Sequence, residues 1–200
     1  MVSVGVIGAS GFTGAELLRI CHAHPDLQVT EATADRQAGR GVAEVHPSLA
    51  AAYPDLVLSA TDGAAVARCA ALDLVFCALP HGASQGLMGD LGAAGATIVD
   101  LAADFRLEDP ADYDQWYGEP HATPSLLDAF TYGLPELAGE SLTGATRIAA
   151  PGCYPTAAAL ALAPLCEAGL VATDGVIVDA ASGVSGAEPQ RRLPQGYGPC

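Results

Sequence analysis

The chain has 200 residues, half of them apolar, and a formal net charge of −15. That length supports one large domain, or one domain followed by part of another. All eight basic residues are arginine and they form no basic stripe, which excludes a nucleic-acid-binding face. No run of eighteen apolar residues escapes interruption by polar residues, Gly or Pro, and no basic leader opens the chain, so a soluble, cytoplasmic protein with no membrane partner is expected. The missing lysine and abundant Ala, Gly and Arg fit a GC-rich genome, and an acid excess also suits a salty cytoplasm, where self-repulsion is screened. Six cysteines without a C-x-x-C pair read as free thiols.

Val2 to Ile7 is a β-branched run and predicts a buried strand. Gly8 to Gly14 is a tight turn, and Ala15 to His24 is helical until Pro25. "LQVTEATA" is a second strand, and "ADRQAGRG" a polar loop. "YPDLVLSA" reads as a short strand, and "DGAAVARCAA" as a helix capped by Asp62. "LDLVFCALP" is a strand halted by Pro80, "GASQGLMGDLGAAG" a helix ending at Gly95, and "ATIVDLAAD" another strand. From Arg106 to Leu142 the pattern weakens into acidic, aromatic loops with short helices. "TRIAAPG" reads as a last strand running into the cysteine turn. "PTAAALALAPLCEAG" is an apolar helix with Pro155 in its first turn, a kink expected at Pro164 and a stop at Gly169. Val176 to Ala181 reads as a strand, followed by a Gly/Ser loop. Strands alternating with helices predict an α/β fold, a Rossmann-type doubly wound parallel sheet followed by the start of an α+β substrate domain. The expected boundaries are 1–149 for the dinucleotide-binding domain, 150–187 for the beginning of the catalytic domain, and 188–200 for a tail of atypical composition.

Gly8, Gly11 and Gly14 form G-x-x-G-x-x-G between a strand and a helix. Gly8 permits the turn, Gly11 lets backbone approach a pyrophosphate, and Gly14 lets helix and strand pack closely. Ser10 and Thr13 add hydroxyl donors. An ordinary glycine turn in a flavodoxin-like sheet is the competing reading. After the second strand an acid favours NAD and an arginine favours NADP. Asp35 is followed by Arg36, with Arg40 close behind, and two arginines tilt the reading to NADP over a merely solvated charged loop.

"APGCYPTA" places Cys153 between a glycine and a tyrosine on a proline-stiffened turn. Cys21, Cys69, Cys77 and Cys166 sit in apolar segments and read as packing. Cys153 is expected one or two residues before the helix begins, where the helix end lowers a thiol pKa and open amides receive a developing oxyanion. A nicotinamide domain plus a thiol at a following helix points to hydride transfer to or from a thioester.

"GASGFTGAELLR", "LPHGAS", "DLAADFRL", "WYGEPH", "YGLPEL", "PGCYPTA" and "SGVSGA" occur in this order over Val2–Ala187. Together they resemble the N-acetyl-gamma-glutamyl-phosphate reductase family of the semialdehyde dehydrogenase superfamily. The aspartate-semialdehyde dehydrogenases are relatives whose cysteine turn normally carries an Asn before the Cys. The resemblance implies an NADPH-dependent enzyme of arginine biosynthesis whose small-molecule substrate is an acyl phosphate. Cys153 would expel phosphate to form a thioester, which is reduced to the semialdehyde. It also implies that Gly8, Ser10, Gly11, Phe12, Thr13 and Gly14 hold the cofactor phosphates and Arg36 the 2′-phosphate. Pro80 lines the nicotinamide side, Ser182 and Gly183 lie near the cofactor, and the full-length protein is a homo-oligomer. No metal is implied. Asp35 departs from the small hydroxyl residue frequent in the family. His81 reads equally as a cofactor contact and a turn histidine. Arg106 is expected to pair with Asp104, with substrate contact as the alternative, and the aromatic cluster around Trp116 is expected to be packing.

The family pattern stops at Ala187. The tail "EPQRRLPQGYGPC" has no apolar period, and a C-terminally truncated member is expected, with a one-base frame slip, a fragment boundary and a true variant as open causes. Every histidine lies at or before His121, whereas the family's catalytic histidine belongs to the later substrate domain. The alternative to an active reductase is therefore an NADP-binding fragment without turnover.

Overall fold

A computed structural model describes residues 1–183 and residue 186. Six strands form one sheet, β1 (Val2–Ile7), β2 (Leu27–Thr33), β3 (Leu74–Cys77), β4 (Thr97–Asp100), β5 (Thr131–Tyr132) and β6 (Arg147–Ala149), in the order β2-β1-β3-β4-β6-β5. Every pairing is parallel. Among the described residues seven helices accompany it: α1 (Phe12–Ala23), α2 (Val42–Val45), α3 (Gly63–Ala70), α4 (Met88–Ala93), α5 (Pro110–Tyr117), α6 (Pro135–Ala138) and α7 (Cys153–Glu167). Short 3₁₀ turns lie at Pro47–Leu49, Pro124–Ala129 and Gly139–Leu142.

The period of two in the strands divides the core. Val4, Val6, Leu74 and Phe76 join Leu18, Cys21, Val42, Leu49 and Leu58 in one cluster. Ile7, Val75, Cys77 and Ile98 join Val66, Cys69, Met88, Leu91, Phe105 and Phe130 in the other. Parallel strands buried on both sides are the reason the sequence shows continuous apolar runs here. The doubly wound parallel sheet expected from the sequence is present.

Several boundaries differ. The first helix begins at Phe12, before Ala15, because Gly11 already serves as its cap residue in an extended conformation. The segment 53–60 makes only isolated bridges, Thr33 to Ser59 and Gly41 to Val57. It braces the loop after β2, with Gly39 N–H donating to Leu58 O at 2.7 Å and Leu58 N–H to Arg40 O at 2.9 Å. Within 82–95 only Met88–Ala93 is helical, because residues 82–87 are turns in which the Gly82 and Ser84 amides donate to the Asp104 side chain rather than to a helix ladder. β6 is the last strand of the sheet along the chain and runs into the cysteine turn as expected, but two-residue β5 pairs beyond it at the sheet edge.

Contacts divide the chain into unit 1 (Met1–Thr156) and unit 2 (Ala157–Cys200). Unit 1 carries the sheet and the cysteine turn. In unit 2, α7 contains Pro164 and is followed by Gly169 at φ +66°. The strand expected over Val176–Ala181 is irregular, and Val176, Ile177 and Val178 are exposed. A strand needs a neighbour for its backbone groups, and no described segment pairs with this one. The tail 188–200 lies outside the described residues. Among the described residues no helix is long and apolar enough to cross a membrane.

Candidate functional site

In a parallel sheet the carboxyl ends of the strands share one edge, where the loops after β1, β3, β4 and β6 lie. The loop after β1 is built by close backbone approach. Gly8 has φ +86°, and a Cβ there would stand 2.3 Å from Ala78 O beyond β3. A Cβ on Gly14 would meet Gly8 O at 2.5 Å and Ala9 Cα at 2.6 Å. Gly8 and Ala9 N–H both donate to Thr33 O, at 3.2 and 2.8 Å, tying the turn to the end of β2. Gly11 caps α1 without a side-chain bond, so the amides of Phe12, Thr13 and Gly14 are open. Phe12 is 73% exposed beside them. Helices α3 and α5, by contrast, are capped by Asp62, which accepts from Ala65 N–H, and Asp109, which accepts from Ala111 N–H.

After β2, Asp35 and Arg36 are exposed. Arg40 is committed to Glu44 at 2.6 Å and to Gln37. Arg36 makes no ion pair or hydrogen bond among the described residues, so of the two arginines it is the one open to an anion. His46, which the sequence reading missed, donates from Nε2 to Ala9 O at 2.9 Å. Nothing local signals that contact, since the partner lies 37 residues away.

The loops after β3 and β4 meet in a buried polar network. Asp104 accepts from Gly82 N–H at 2.7 Å, Ser84 N–H at 3.1 Å and Ser84 Oγ at 2.6 Å. Ser84 Oγ also lies 2.9 Å from Asp100 Oδ2. Burial pushes the Asp100 carboxyl up to about 6, against the opposing effect of its bonds from Ser84 and Ala102. Gln85 donates to Tyr113 Oη at 2.7 Å, and His121 Nε2 to Asp104 O at 2.9 Å. Burial, with the nearby Asp104, raises the Tyr113 phenol above its usual range. His81 stacks on Tyr117, ring centroids 4.4 Å apart. Its Nδ1 lies 3.1 Å from Asp104 Oδ1 but off the line of a hydrogen bond. The motifs "LPHGAS" and "DLAADFRL" thus meet in space through Ser84, Asp100 and Asp104. Pro80 begins this turn, exposed, and Ala83 N–H donates back to its carbonyl at 3.2 Å. The packing expected around Trp116 belongs to Tyr113 and Tyr117; Trp116 itself is 71% exposed.

Arg106 does not pair with Asp104. Its Nε donates to Ala150 O at 2.7 Å and its Nη2 to Leu101 O at 2.8 Å, because two carbonyls at the ends of β4 and β6 lie within reach of one planar fork. A Cβ on Gly152 would stand 3.1 Å from Arg106 Nη1, so the guanidinium lies directly beneath the cysteine turn. Cys153 is the first residue of α7 rather than one that precedes it. Pro155 fits the first turn, where its missing N–H costs nothing, so the helix starts early. Thr156 closes that turn, donating from N–H (3.0 Å) and Oγ1 (2.8 Å) to Gly152 O. Cys153 is exposed, while Cys21, Cys69 and Cys77 are buried; burial pushes Cys69 up to about 12 and Cys77 well above its ordinary value. Ser182 and Gly183 lie in unit 2, in irregular chain, with Ser182 Oγ 3.3 Å from Gly183 O. Among the described residues no cluster of His, Cys, Asp or Glu could hold a metal ion.

Residues 3–145 match the model of the semialdehyde dehydrogenase NAD binding domain, and residues 153–192 that of the semialdehyde dehydrogenase dimerisation domain. The chain is 48% identical over 187 residues to an N-acetyl-gamma-glutamyl-phosphate reductase of Ectopseudomonas mendocina (strain ymp), covering 94% of this chain and 54% of that protein. The figures are the same for a protein of that name from Pseudomonas aeruginosa (strain UCBPP-PA14). The chain therefore spans about half the length of the curated relatives it matches. Among solved structures, aspartate semialdehyde dehydrogenase with NADP from Candida albicans aligns at TM-score 0.60 and 17% identity, covering 86% of this chain and 48% of that one. Aspartate semialdehyde dehydrogenase II from Vibrio cholerae, complexed with ASA, aligns at TM-score 0.56 and 17% identity, over 84% and 47%. These two likenesses establish the fold.

Proposed function

The chain belongs to the semialdehyde dehydrogenase family, and on that premise we propose that it forms the cofactor-binding and nucleophile-bearing part of an NADPH-dependent N-acetyl-gamma-glutamyl-phosphate reductase of arginine biosynthesis. The observation that carries this reading is the placement of exposed Cys153 at the first position of a helix preceded by Gly152, which has no side chain to cap it, on the sheet edge that also bears the glycine turn. Near-half identity to proteins of that name supports the substrate assignment.

Gly8, Ser10, Gly11, Phe12, Thr13 and Gly14 are assigned to the cofactor phosphates, because side chains at Gly8 and Gly14 would fill the turn and the amides after Gly11 are open. Arg36 is assigned to the 2′-phosphate. Pro80 is assigned to the nicotinamide side; Ser182 and Gly183 are assigned to the cofactor's surroundings on their motif. When bound, the nicotinamide supplies hydride. The Cys153 thiolate attacks the acyl carbonyl, a C–S bond forms, and phosphate leaves with the electrons of the C–O bond. The open amides of Cys153 and Tyr154 stabilise the oxyanion that develops. Reduction of the resulting thioester gives a thiohemiacetal, which releases the aldehyde and restores the thiolate. Residues 1–149 serve the cofactor and 150–187 begin the catalytic domain. The match of 153–192 to a dimerisation domain supports a homo-oligomer of the whole protein. Free thiols suit the reducing cytoplasm.

The test is mass spectrometry of the chain after mixing with N-acetyl-gamma-glutamyl phosphate, beside fluorescence titration with NADPH. One acyl adduct on Cys153 and one equivalent of released phosphate are expected, both abolished by Cys153→Ser, with NADPH binding unaffected. An adduct on another cysteine would overturn the assignment. NADPH binding with no adduct would favour a nucleotide-binding chain without turnover.

A further inference from the structure

We propose that His46 is a positioning residue that aims the Ser10 amide at a dinucleotide phosphate, an inference that rests on the cofactor reading above. A carbonyl oxygen accepts only, so the 2.9 Å contact with Ala9 O requires the proton on His46 Nε2. The peptide between Ala9 and Ser10 is planar and trans, so its C=O and its N–H point in opposite directions. Holding the Ala9 carbonyl on His46 therefore turns the Ser10 N–H the other way. The far side of Ala9 is fixed as well, since its own N–H donates to Thr33 O at 2.8 Å. Among the described residues nothing accepts from the Ser10 N–H, whereas the Gly11 N–H that separates it from the open amides of α1 donates to Gly8 O at 3.3 Å.

His46 is itself held rigidly. Val42 and Leu49 are buried on either side of it. Val42 N–H donates to Leu56 O at 2.8 Å, and His46 N–H to Val42 O at 2.8 Å. The imidazole thus transmits the position of the segment anchored by Val42 and Leu49 to one peptide plane of the turn. A free glycine-rich turn would lose the orientation of that donor and regain it only on binding, at an entropic cost.

The experiment compares His46→Leu, which removes the donor, with His46→Gln, whose amide nitrogen reaches the same place. Dissociation constants are measured for NADPH, for ADP-ribose, which carries the diphosphate, and for 2′-AMP, which lacks it. His46→Leu should weaken NADPH and ADP-ribose roughly 5- to 10-fold and leave 2′-AMP within about twofold. His46→Gln should hold all three within about threefold. If His46→Leu does not fold, His46→Asn, too short to reach Ala9 O, carries the same expectation. Equal loss for all three ligands, or no loss for NADPH, would overturn the role of His46 while leaving the cofactor reading intact. A Gln variant as impaired as Leu would do the same. Failure of the unaltered chain to bind any of the three would overturn both.

Discussion

At one edge of the sheet the chain passes from strand to helix after β1 and again after β6, and the two turns are made of opposite materials. The β1 turn removes side chains: Gly8 and Gly14 bring backbone against backbone, and no side chain caps α1. The β6 turn is stiffened by Pro151 and Pro155, tied down by Arg106, and presents a single reactive side chain at the helix start. Both helices forgo the aspartate cap that α3 and α5 have, and neither has a carboxylate in its first turn. A cap is worth about 1 kcal/mol. Its absence at these two helices leaves positive helix ends free for anions, one approached by backbone and one through sulfur.

The sharpest way to break this contrast is at the glycines. Gly8→Ala places a Cβ 2.3 Å from a backbone oxygen at positive φ. It should cost about 3–5 kcal/mol in urea unfolding, with cofactor binding lost as a consequence. Gly11 has φ −82°, ψ 171°, and a Cβ there would make only an ordinary contact, 3.7 Å from Gly8 O. Gly11→Asp should therefore restore the missing cap and keep or raise stability, while NADPH binding falls by more than about tenfold through repulsion of the phosphates. Equal destabilisation by both changes would mean that Gly11 is structural.

The corresponding break in the β6 turn is Arg106→Met. It removes two charge-assisted bonds, to Leu101 O and Ala150 O, and should cost about 2–3 kcal/mol. Amide exchange at Ala150, Gly152 and Cys153 should accelerate more than at Gly8–Gly14. Arg106→Lys should recover less than half, since an ammonium lacks the planar fork. Full recovery by Lys would show that charge alone holds the turn.

Anion recognition by a side chain, rather than by open amides, is tested at Arg36. Arg36→Ala should weaken NADPH roughly tenfold and leave NADH within about twofold, through loss of one charge-assisted contact. Arg40→Ala should change neither by more than about twofold, because Arg40 is already paired with Glu44. Parallel loss of NADPH and NADH at Arg36 would refute its assignment to the 2′-phosphate.

β1, β3 and β4 were legible because inner strands of a parallel sheet carry short apolar runs, β2 because it alternates, and the glycine turn because its spacing falls between a strand and a helix. Cys153 was legible from its prolines and glycine, although the helix was found to start at it. β5 was not, since two residues hold a strand only through pairing with β6. Segment 53–60 has strand-like composition but is spent on bracing the loop after β2. Val176–Val178 has it too, without a partner among the described residues. Arg106, Asp104 and His46 were misread or missed for one reason: each acts across a long sequence separation, on a carbonyl or amide that carries no mark in the sequence.

The two turns also differ in what lies beneath them. Asp100 ends β4 beside the cysteine turn, its carbonyl accepting from Ala150 N–H at 2.8 Å, and its carboxyl meets Ser84 Oγ and Ala102 N–H. Ser84 has one hydroxyl proton and lies closer to Asp104 (2.6 Å) than to Asp100 (2.9 Å). A proton on Asp100 supplies the bond that the serine cannot give twice. Burial holds this carboxyl near pH 6, above its ordinary value of 3.8. The folded chain therefore binds more protons than the unfolded one between those values, and stability falls as pH rises through that window. Asp100→Asn keeps an acceptor for Ala102 N–H and gives an amide donor to Ser84 at every pH. The variant should match the unaltered chain near pH 4 and exceed it by about 1–2 kcal/mol near pH 8, measured by urea unfolding across the range. A stability difference that is constant with pH, or that grows towards acid, would remove the protonated Asp100 from this account.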